Sequence, residues 1–401
     1  KTMCVLPFVD RINTKHVHRN IFILTPERAK ELFKNKDWLK IDLILFDEAQ
    51  LSDEHSVRGL YFDSIVRRAL KYFPNSKFVF AHPFIENPEA QLQKNDIEII
   101  NTTATYSNYE LKNVGQIFYT HDITSQKFYH FGSDPTTLGK RKLEADFDPI
   151  ESALKKGGSV LIYVPKSHIY SKQIYGQFQK YISMCQPIDD PIAIKMIDEL
   201  KDYIGASTTD KLFYNSDMLE KLRCGIVVHH GSMPLTARLI LEHFTQQGFC
   251  KICFATSTLE QGINMPFDVV YLDRFEESKT LSVKNLIGRA GRSTAKPIFD
   301  FGSVILRPNA MSRFRKVYQK KNILSSKSRL DITDDKMDEK YEEYKEAIKT
   351  GEFSDEYNLT NKDLEKLKSD SVTTVVPTLL DMMFTGADFV LPNAVAKEVY
   401  E

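Results

Sequence analysis

Three short apolar runs, NIFILT (20–25), IDLILF (41–46) and KFVFAH (77–82), show little alternation between apolar and polar positions. Runs of this kind predict strands covered on both faces, the usual condition of a parallel sheet. Between them lie ERAKELFKN and SVRGLYFDSIVRRALKYF, whose apolar positions recur at helical spacing. The pattern therefore predicts α/β architecture with crossover helices. Residues 98–135 are less regular, and the alternating segments QIFYT and KFYHFG read as extended strands or a hairpin. ADFDPIESALKKGGS then opens a new block, with Pro149 near the start of a helical stretch and Gly157 and Gly158 at its end.

The second block repeats the theme. VLIYVP (160–165), GIVVHH (225–230), KICFAT (251–256), DVVYLD (268–273) and SVILR (303–307) are strand candidates, and MPLTARLILEHFTQQG is one of the helical patterns between them. Two tandem parallel-sheet units are expected, over 1–145 and 146–312. The remainder, 313–401, contains DITDDKMDEKYEEYKEAIKTGEFSDEYNLTNKDLEKLKSD, dense in charge with Tyr, Ile and Leu at roughly helical spacing. It reads as a mainly helical appendage with a solvated or partner-facing surface.

Composition narrows the picture only a little. A chain of 401 residues is long enough for two substantial cores. Its 54 Lys plus Arg balance 54 Asp plus Glu, so any nucleic-acid contact must come from local patches rather than bulk charge. Five cysteines, an odd number, fit a reducing compartment better than a disulfide scaffold. Cys250 and Cys253 form a C-x-x-C without a second ligand pair, inside a run that reads as a buried strand. No apolar run approaches a membrane span, and KTMCVLPFVD lacks a signal-peptide layout. The expectation is a soluble, cytoplasmic chain with no membrane partner.

Candidate chemistry begins at LILFDEAQ, residues 43–50. A strand ending in adjacent carboxylates places Asp47 and Glu48 at the carboxyl edge of a parallel sheet, where α/β folds bind ligands. One carboxylate can hold Mg²⁺ through its water shell while its neighbour polarises an attacking water. A solvated helix start, with acids favoured by the helix dipole, explains such a pair equally well in isolation.

The wider motif set decides between these readings. TPER (25–28), FDEAQ (46–50), VVHHGSMPLTAR (227–238), TSTLEQGINMP (256–266) and NLIGRAGR (285–292) occur in this order. Together they resemble the superfamily-two helicases, most closely the Ski-type branch, over about residues 20–310. The resemblance implies two tandem RecA-like lobes, the first one incomplete, and ATP with Mg²⁺ as cofactors. It implies that Asp47 organises the metal, Glu48 activates water and Gln50 links hydrolysis to lobe closure. It also implies that Arg289 and Arg292 neutralise γ-phosphate charge, a task suited to the permanently charged, forked guanidinium. Gly288 and Gly291 would let that backbone turn tightly. Gly262 and Asn264 match the motif that approaches the nucleotide, and Thr25, Arg28, Thr256 and Thr258 fall where the family touches a single strand. Arg28 pairing with Glu27 is the competing reading for that residue, and His229 and His230 lack a third metal ligand.

Departures from the family pattern matter as much. Nucleotide-hydrolysing members carry G-x-x-x-x-G-K-[ST], whose amides and lysine cradle phosphates. No such loop occurs here. GSDPTTLGK (132–140) has six residues between its glycines and follows the carboxylate pair instead of preceding it. Only about 40 residues precede the strand of that pair, so a fragment of a longer helicase is expected. The family's Ser-Ala-Thr motif is replaced by AHP (81–83), with His82 as candidate substitute, and Asn285 stands where a glutamine usually opens the arginine motif.

DVVYLDRFEESKTLSVKN, between the last two motifs, is expected to form a strand-separating hairpin with Phe275 as a base-stacking platform. Expected partners are single-stranded or partly duplex nucleic acid. Helicases with this motif combination also occur in bacterial anti-phage systems beside a nuclease, which makes a nuclease the expected protein partner. The alternative from another class is a catalytically silent helicase-like scaffold that binds nucleic acid or a protein.

Overall fold

A computed structural model describes residues 3–9, 19–95, 105, 107, 115–134, 136, 143–171, 173–206, 216–256, 265, 267–291, 301–332, 339–354, 359–367, 376–377, 384–385 and 388–389. It is α/β and divides into two compact units, Lys1–Asn108 with Ile323–Glu401, and Tyr109–Asn322. Among the described residues no helix is long and apolar enough to cross a membrane.

In the first unit β1 (Met3–Leu6) pairs in parallel with β2 (Arg19–Phe22), and β3 (Leu43–Phe46) with β4 (Lys77–Phe80). Helix α1 (Pro26–Lys34) begins with Thr25 at its cap, Pro26 in its first turn and Glu27 beside it, and it ends on Lys34. That order suits the missing N–H of proline and the helix dipole. Helix α2 (Val57–Tyr72) starts at Ser56, whose side chain accepts the Gly59 N–H. Ala29, Leu32 and Phe33 of α1 meet Phe62, Ile65, Val66 and Ala69 of α2 in one core with Phe46. The Phe46 ring stacks on Phe80 at 5.2 Å and 8°.

The expectation of strands covered on both faces fails here. β3 and β4 alternate between packed and exposed positions, and Leu43, Leu45 and Val79 remain 55%, 60% and 44% exposed. Ile44, Phe46, Phe78 and Phe80 face the helices, while no layer covers the opposite face among the described residues. The apolar run in the sequence thus overstates how much of each strand is buried.

The second unit satisfies the expectation. Its sheet runs β7 (Leu143–Glu144), β6 (Lys127–His130), β5 (Gln116–Asp122), β12 (Gly302–Leu306), β11 (Val269–Leu272), β8 (Val160–Tyr163), β10 (Ile252–Ala255) and β9 (Ile226–His229). The six strands from β5 to β9 are parallel, and the β5–β6 and β6–β7 pairs are antiparallel. Successive residues point to opposite faces. Leu161, Val227, Cys253, Val270 and Val304 enter one core, and Ile162, Val228, Phe254, Tyr271 and Ile305 the other. Helices α3 (Leu235–Gln246), α4 (Thr280–Ile287) and α5 (Met311–Gln319) help close the first of these, through Leu241, Leu286 and Phe314. Cys250 and Cys253 are both interior to it.

Two segments fall elsewhere than the sequence reading places them. QIFYT and KFYHFG do form an antiparallel pair, and it extends the second sheet. Described residues after 312 also pack into the two units' cores. Phe314 and Val317 are buried in the second unit, while Ser328 packs into the first. There the Ser328 hydroxyl and the Arg329 N–H both donate to Asp63 Oδ2, at 2.6 and 2.7 Å. Burial raises the Asp63 pKa in spite of these donors. Arg67 adds a two-pronged pair to Asp331 at 3.1 and 2.5 Å.

Gly302 marks the tightest approach in the second unit. A Cβ built there would lie 2.3 Å from the Ala290 carbonyl carbon. Gly302→Ala should destabilise the second unit by about 1–3 kcal/mol, since backbone cannot yield as a side-chain tip does. A urea unfolding midpoint equal to that of the parent chain would show that this packing is absent.

Candidate functional site

The carboxylate turn grows directly out of β3. Ala81 N–H donates to Phe46 O and Ala49 N–H to Ala81 O, each at 2.9 Å, so the β3–β4 pairing continues past the strand ends. Between these two bonds lie Asp47, exposed, and Glu48, partly buried. Glu48 takes a left-handed conformation (φ 51°) and its N–H donates to Asp47 Oδ1 at 3.0 Å. A non-glycine residue in that region signals a constrained backbone. The two carboxylates are thereby held on a short, rigid turn at the carboxyl end of the strand.

A 3₁₀ turn, Ala49–Asp53, follows and is anchored from below. Ser52 is fully buried and donates to Ala49 O at 2.8 Å. Lys94 reaches Ser52 Oγ at 3.2 Å and ion-pairs with Asp53, whose other oxygen accepts the Ser325 N–H at 2.5 Å. His82 Nε2 lies 3.3 Å from Gln91 Oε1, which also faces Ser52. Burial lowers the His82 pKa, and the Lys94 charge adds to that. His82 therefore braces the turn as a neutral residue. Gln50 is 7% exposed, and its Oε1 is buried without a hydrogen-bond partner.

Thr25 caps α1 through its carbonyl, which accepts from Arg28 and Ala29 at 3.0 and 2.9 Å, and its side chain is exposed. Arg28 does not pair with Glu27. Its guanidinium donates to Pro7 O at 3.2 Å, and Glu27 lies 3.6 Å from Arg58 instead.

In the second unit α4 ends on Gly288, which has ordinary helical torsions. The left-handed residue is Gly291 (φ 78°), whose N–H donates to Phe267 O at 2.7 Å. Arg289 is only 5% exposed, and its charge acts on the Cys253 thiol inside the core. Arg292, Gly262, Asn264 and Thr258 lie outside the described residues. Thr256 is buried just beyond β10, with its N–H on His229 O at 3.2 Å. His229 is fully buried against Glu242 at 3.1 Å, an interior pair rather than a metal ligand set.

The expected hairpin is absent. β11 is followed by a turn and then α4, with no second strand between Leu272 and Thr280. Phe275 is 8% exposed and packs on Phe314 with ring centroids 6.3 Å apart. An aromatic buried against α5 offers no platform for a base.

The carboxyl ends of β5, β8, β10, β11 and β12 enclose a cavity of about 1200 Å³, which Thr256 helps to line. Lys166, Arg274, Lys279, Arg307 and Arg313 line it, against Asp122, Asp273 and Glu276. Arg307 Nε is held by Asp273 Oδ1 at 2.8 Å, with His168 3.4 Å from the same carboxylate. Lys279 sits 3.1 Å from Glu276, and the Arg313 guanidinium lies 5.8 Å from the Phe275 ring. Positive charge at the carboxyl edge of a parallel sheet is suited to phosphate groups. Sequence reasoning missed this cluster. Its signal is positional, since Lys166, Arg274 and Arg307 each follow a strand end by one to three residues.

Parts of the chain are similar to known proteins. The helicase conserved C-terminal domain matches residues 194–294. The ATP-dependent DNA helicase Hel308 of Caldivirga maquilingensis is 22% identical over 72% of this chain and 37% of its own length. Hachiman protein HamB of Bacillus cereus is 23% identical over 71% of this chain and 28% of its own. Superkiller complex protein 2 of Mus musculus is 32% identical over 29% of this chain. The chain thus spans well under half the length of these curated relatives. The domain match and these relatives together make the chain similar to the superfamily-two helicases of the Ski-type branch.

Proposed function

We propose that this chain is part of an ATP-dependent nucleic-acid helicase or translocase whose ATP hydrolysis is stimulated by nucleic acid. The observation that carries the reading is the Asp47–Glu48 pair, held on a constrained turn at the carboxyl end of β3. Exposed carboxylate oxygens fit a hard cation, and Asp47 is the residue to hold Mg²⁺ through its water shell. Bound Mg²⁺ would neutralise phosphate charge. Glu48 orients and deprotonates the attacking water, while Arg289 and Arg292 answer the phosphate charge. Gly262, Asn264 and Gly288 approach the nucleotide.

Single-strand contacts fall to Thr25, Arg28, Thr256 and Thr258, and the basic cavity supports nucleic acid as partner. A phosphate-cradling loop supplied from outside these 401 residues completes the nucleotide site. The exposed apolar face of β3 and β4 supports this, since parallel strands are ordinarily covered on both sides. The motif combination extends this reading to a bacterial anti-phage setting in the cytoplasm with a nuclease as partner. One observation favours the silent scaffold instead: no phosphate loop occurs in the sequence.

ATP turnover by the full coding-sequence product, measured with and without single strands, separates the two readings. Glu48→Gln and Arg292→Ala should each lower stimulated turnover at least about 100-fold with thermal unfolding unchanged. Unaltered turnover in both variants would remove the mechanism. Gln50→Leu should raise stability by about 1 kcal/mol, because it deletes a buried oxygen that lacks a donor. The same variant should lose stimulation by nucleic acid, and a denaturant midpoint that falls instead would show that the oxygen is satisfied.

A further inference from the structure

A residue that lines the basic cavity buries a polar atom that has no hydrogen-bond partner among the described residues. His121, near the end of β5, lines the cavity and is 4% exposed, yet its Nε2 has no hydrogen-bond partner. The ring is fixed in orientation. It stacks on Phe128 with centroids 4.3 Å apart at 7°, and it meets the Tyr271 ring edge-on at 5.8 Å. Its Nδ1 lies 3.2 Å from the Tyr271 hydroxyl.

Protonation follows from these surroundings. Burial pushes the imidazole down to about 4, with Asp148 and Asp122 opposing and Arg307 and Lys180 assisting, so the ring is neutral near pH 7. Burial also pushes the Tyr271 phenol up, so it keeps its proton. Nδ1 is the acceptor that satisfies that proton among the described residues. The single ring hydrogen then sits on Nε2. The result is a buried N–H donor without an acceptor, a rare feature in folded proteins. It occurs in a cavity whose other lining includes Lys166, Arg274, Lys279 and Arg313. A ligand that meets both features is an anion with acceptor oxygens.

We propose that His121 is a strand-binding residue whose Nε2–H donates to a phosphate oxygen of a single nucleic-acid strand lying in this cavity. The proposal rests on the nucleic-acid reading above and adds a residue that the family motifs do not contain. His121 sits on β5, outside the motif segments, and reaches the cavity because β5 joins the sheet beside β12.

Fluorescence anisotropy with a labelled single-stranded oligonucleotide tests this on the 401-residue chain. His121→Phe keeps an aromatic ring against Phe128 and removes the donor. Its affinity should fall about tenfold, the loss expected for one hydrogen bond to a charged acceptor, with the thermal midpoint measured alongside because the Tyr271 hydroxyl loses its acceptor. His121→Gln carries an N–H at the distance of Nε2 and should stay within about threefold of the parent. Parent-like binding by His121→Phe, beside weakened binding by Arg274→Ala, overturns the role of His121 and leaves the nucleic-acid reading standing. Parent-like binding by His121→Phe, Arg274→Ala and Lys279→Ala alike removes that reading from the cavity as well. If His121→Phe does not fold, His121→Gln is compared with His121→Asn, whose shorter amide cannot reach, and equal affinities overturn the proposal. Displacement of the strand by inorganic phosphate as effectively as by unlabelled strand assigns the cavity to free phosphate and overturns it too.

Discussion

Coverage of a parallel sheet on both faces is the constraint on which the second unit depends. Its strands β9, β10, β11 and β12 are buried along their length, and their apolar side chains divide between two cores. Polar chemistry is then confined to the strand ends. Lys166, Thr256, Arg274 and Arg307 all follow carboxyl ends, and the cavity forms there. The apolar interior and the charged edge are two consequences of one packing condition.

The first unit shows what happens when the condition is only half met. Its core is built on one face of β3 and β4, and Leu43 and Leu45 stay exposed on the other. The carboxylate turn is nevertheless rigid, because its support comes from backbone pairing with Ala81 and from buried polar side chains beneath Ser52. Asp53 joins three parts of the chain through Lys94 and the Ser325 N–H. A segment distant in sequence thus stabilises the turn that bears the catalytic candidates.

Polar groups left unsatisfied in the interior divide the candidates by role. Gln50 and His121 each bury one atom with no partner among the described residues, a condition that packing alone does not favour. Arg289 is interior as well, close enough to Cys253 for its charge to act on that thiol. Phe275 is different, since its ring is absorbed by contacts with Phe314 and Arg313. Residue type suggested an exposed ring for Phe275, and its burial departs from that expectation.

Local pattern in the sequence was sufficient for the alternation of strands and helices, for the carboxylate pair at the end of β3, and for the ordered motifs that resemble those of superfamily-two helicases. Each of these depends on residues within a few positions of one another, where periodicity and turn chemistry act directly. Tertiary structure alone decided that β5 and β6 extend the second sheet, that Ser328 and Arg329 pack onto Asp63, and that Leu43, Leu45 and Val79 of β3 and β4 stay exposed. It alone gathered five strand ends around a basic cavity and left His121 Nε2 without a partner. Those outcomes are set by contacts between residues up to hundreds of positions apart, and a strand's own sequence carries no label for its neighbour or for what covers it.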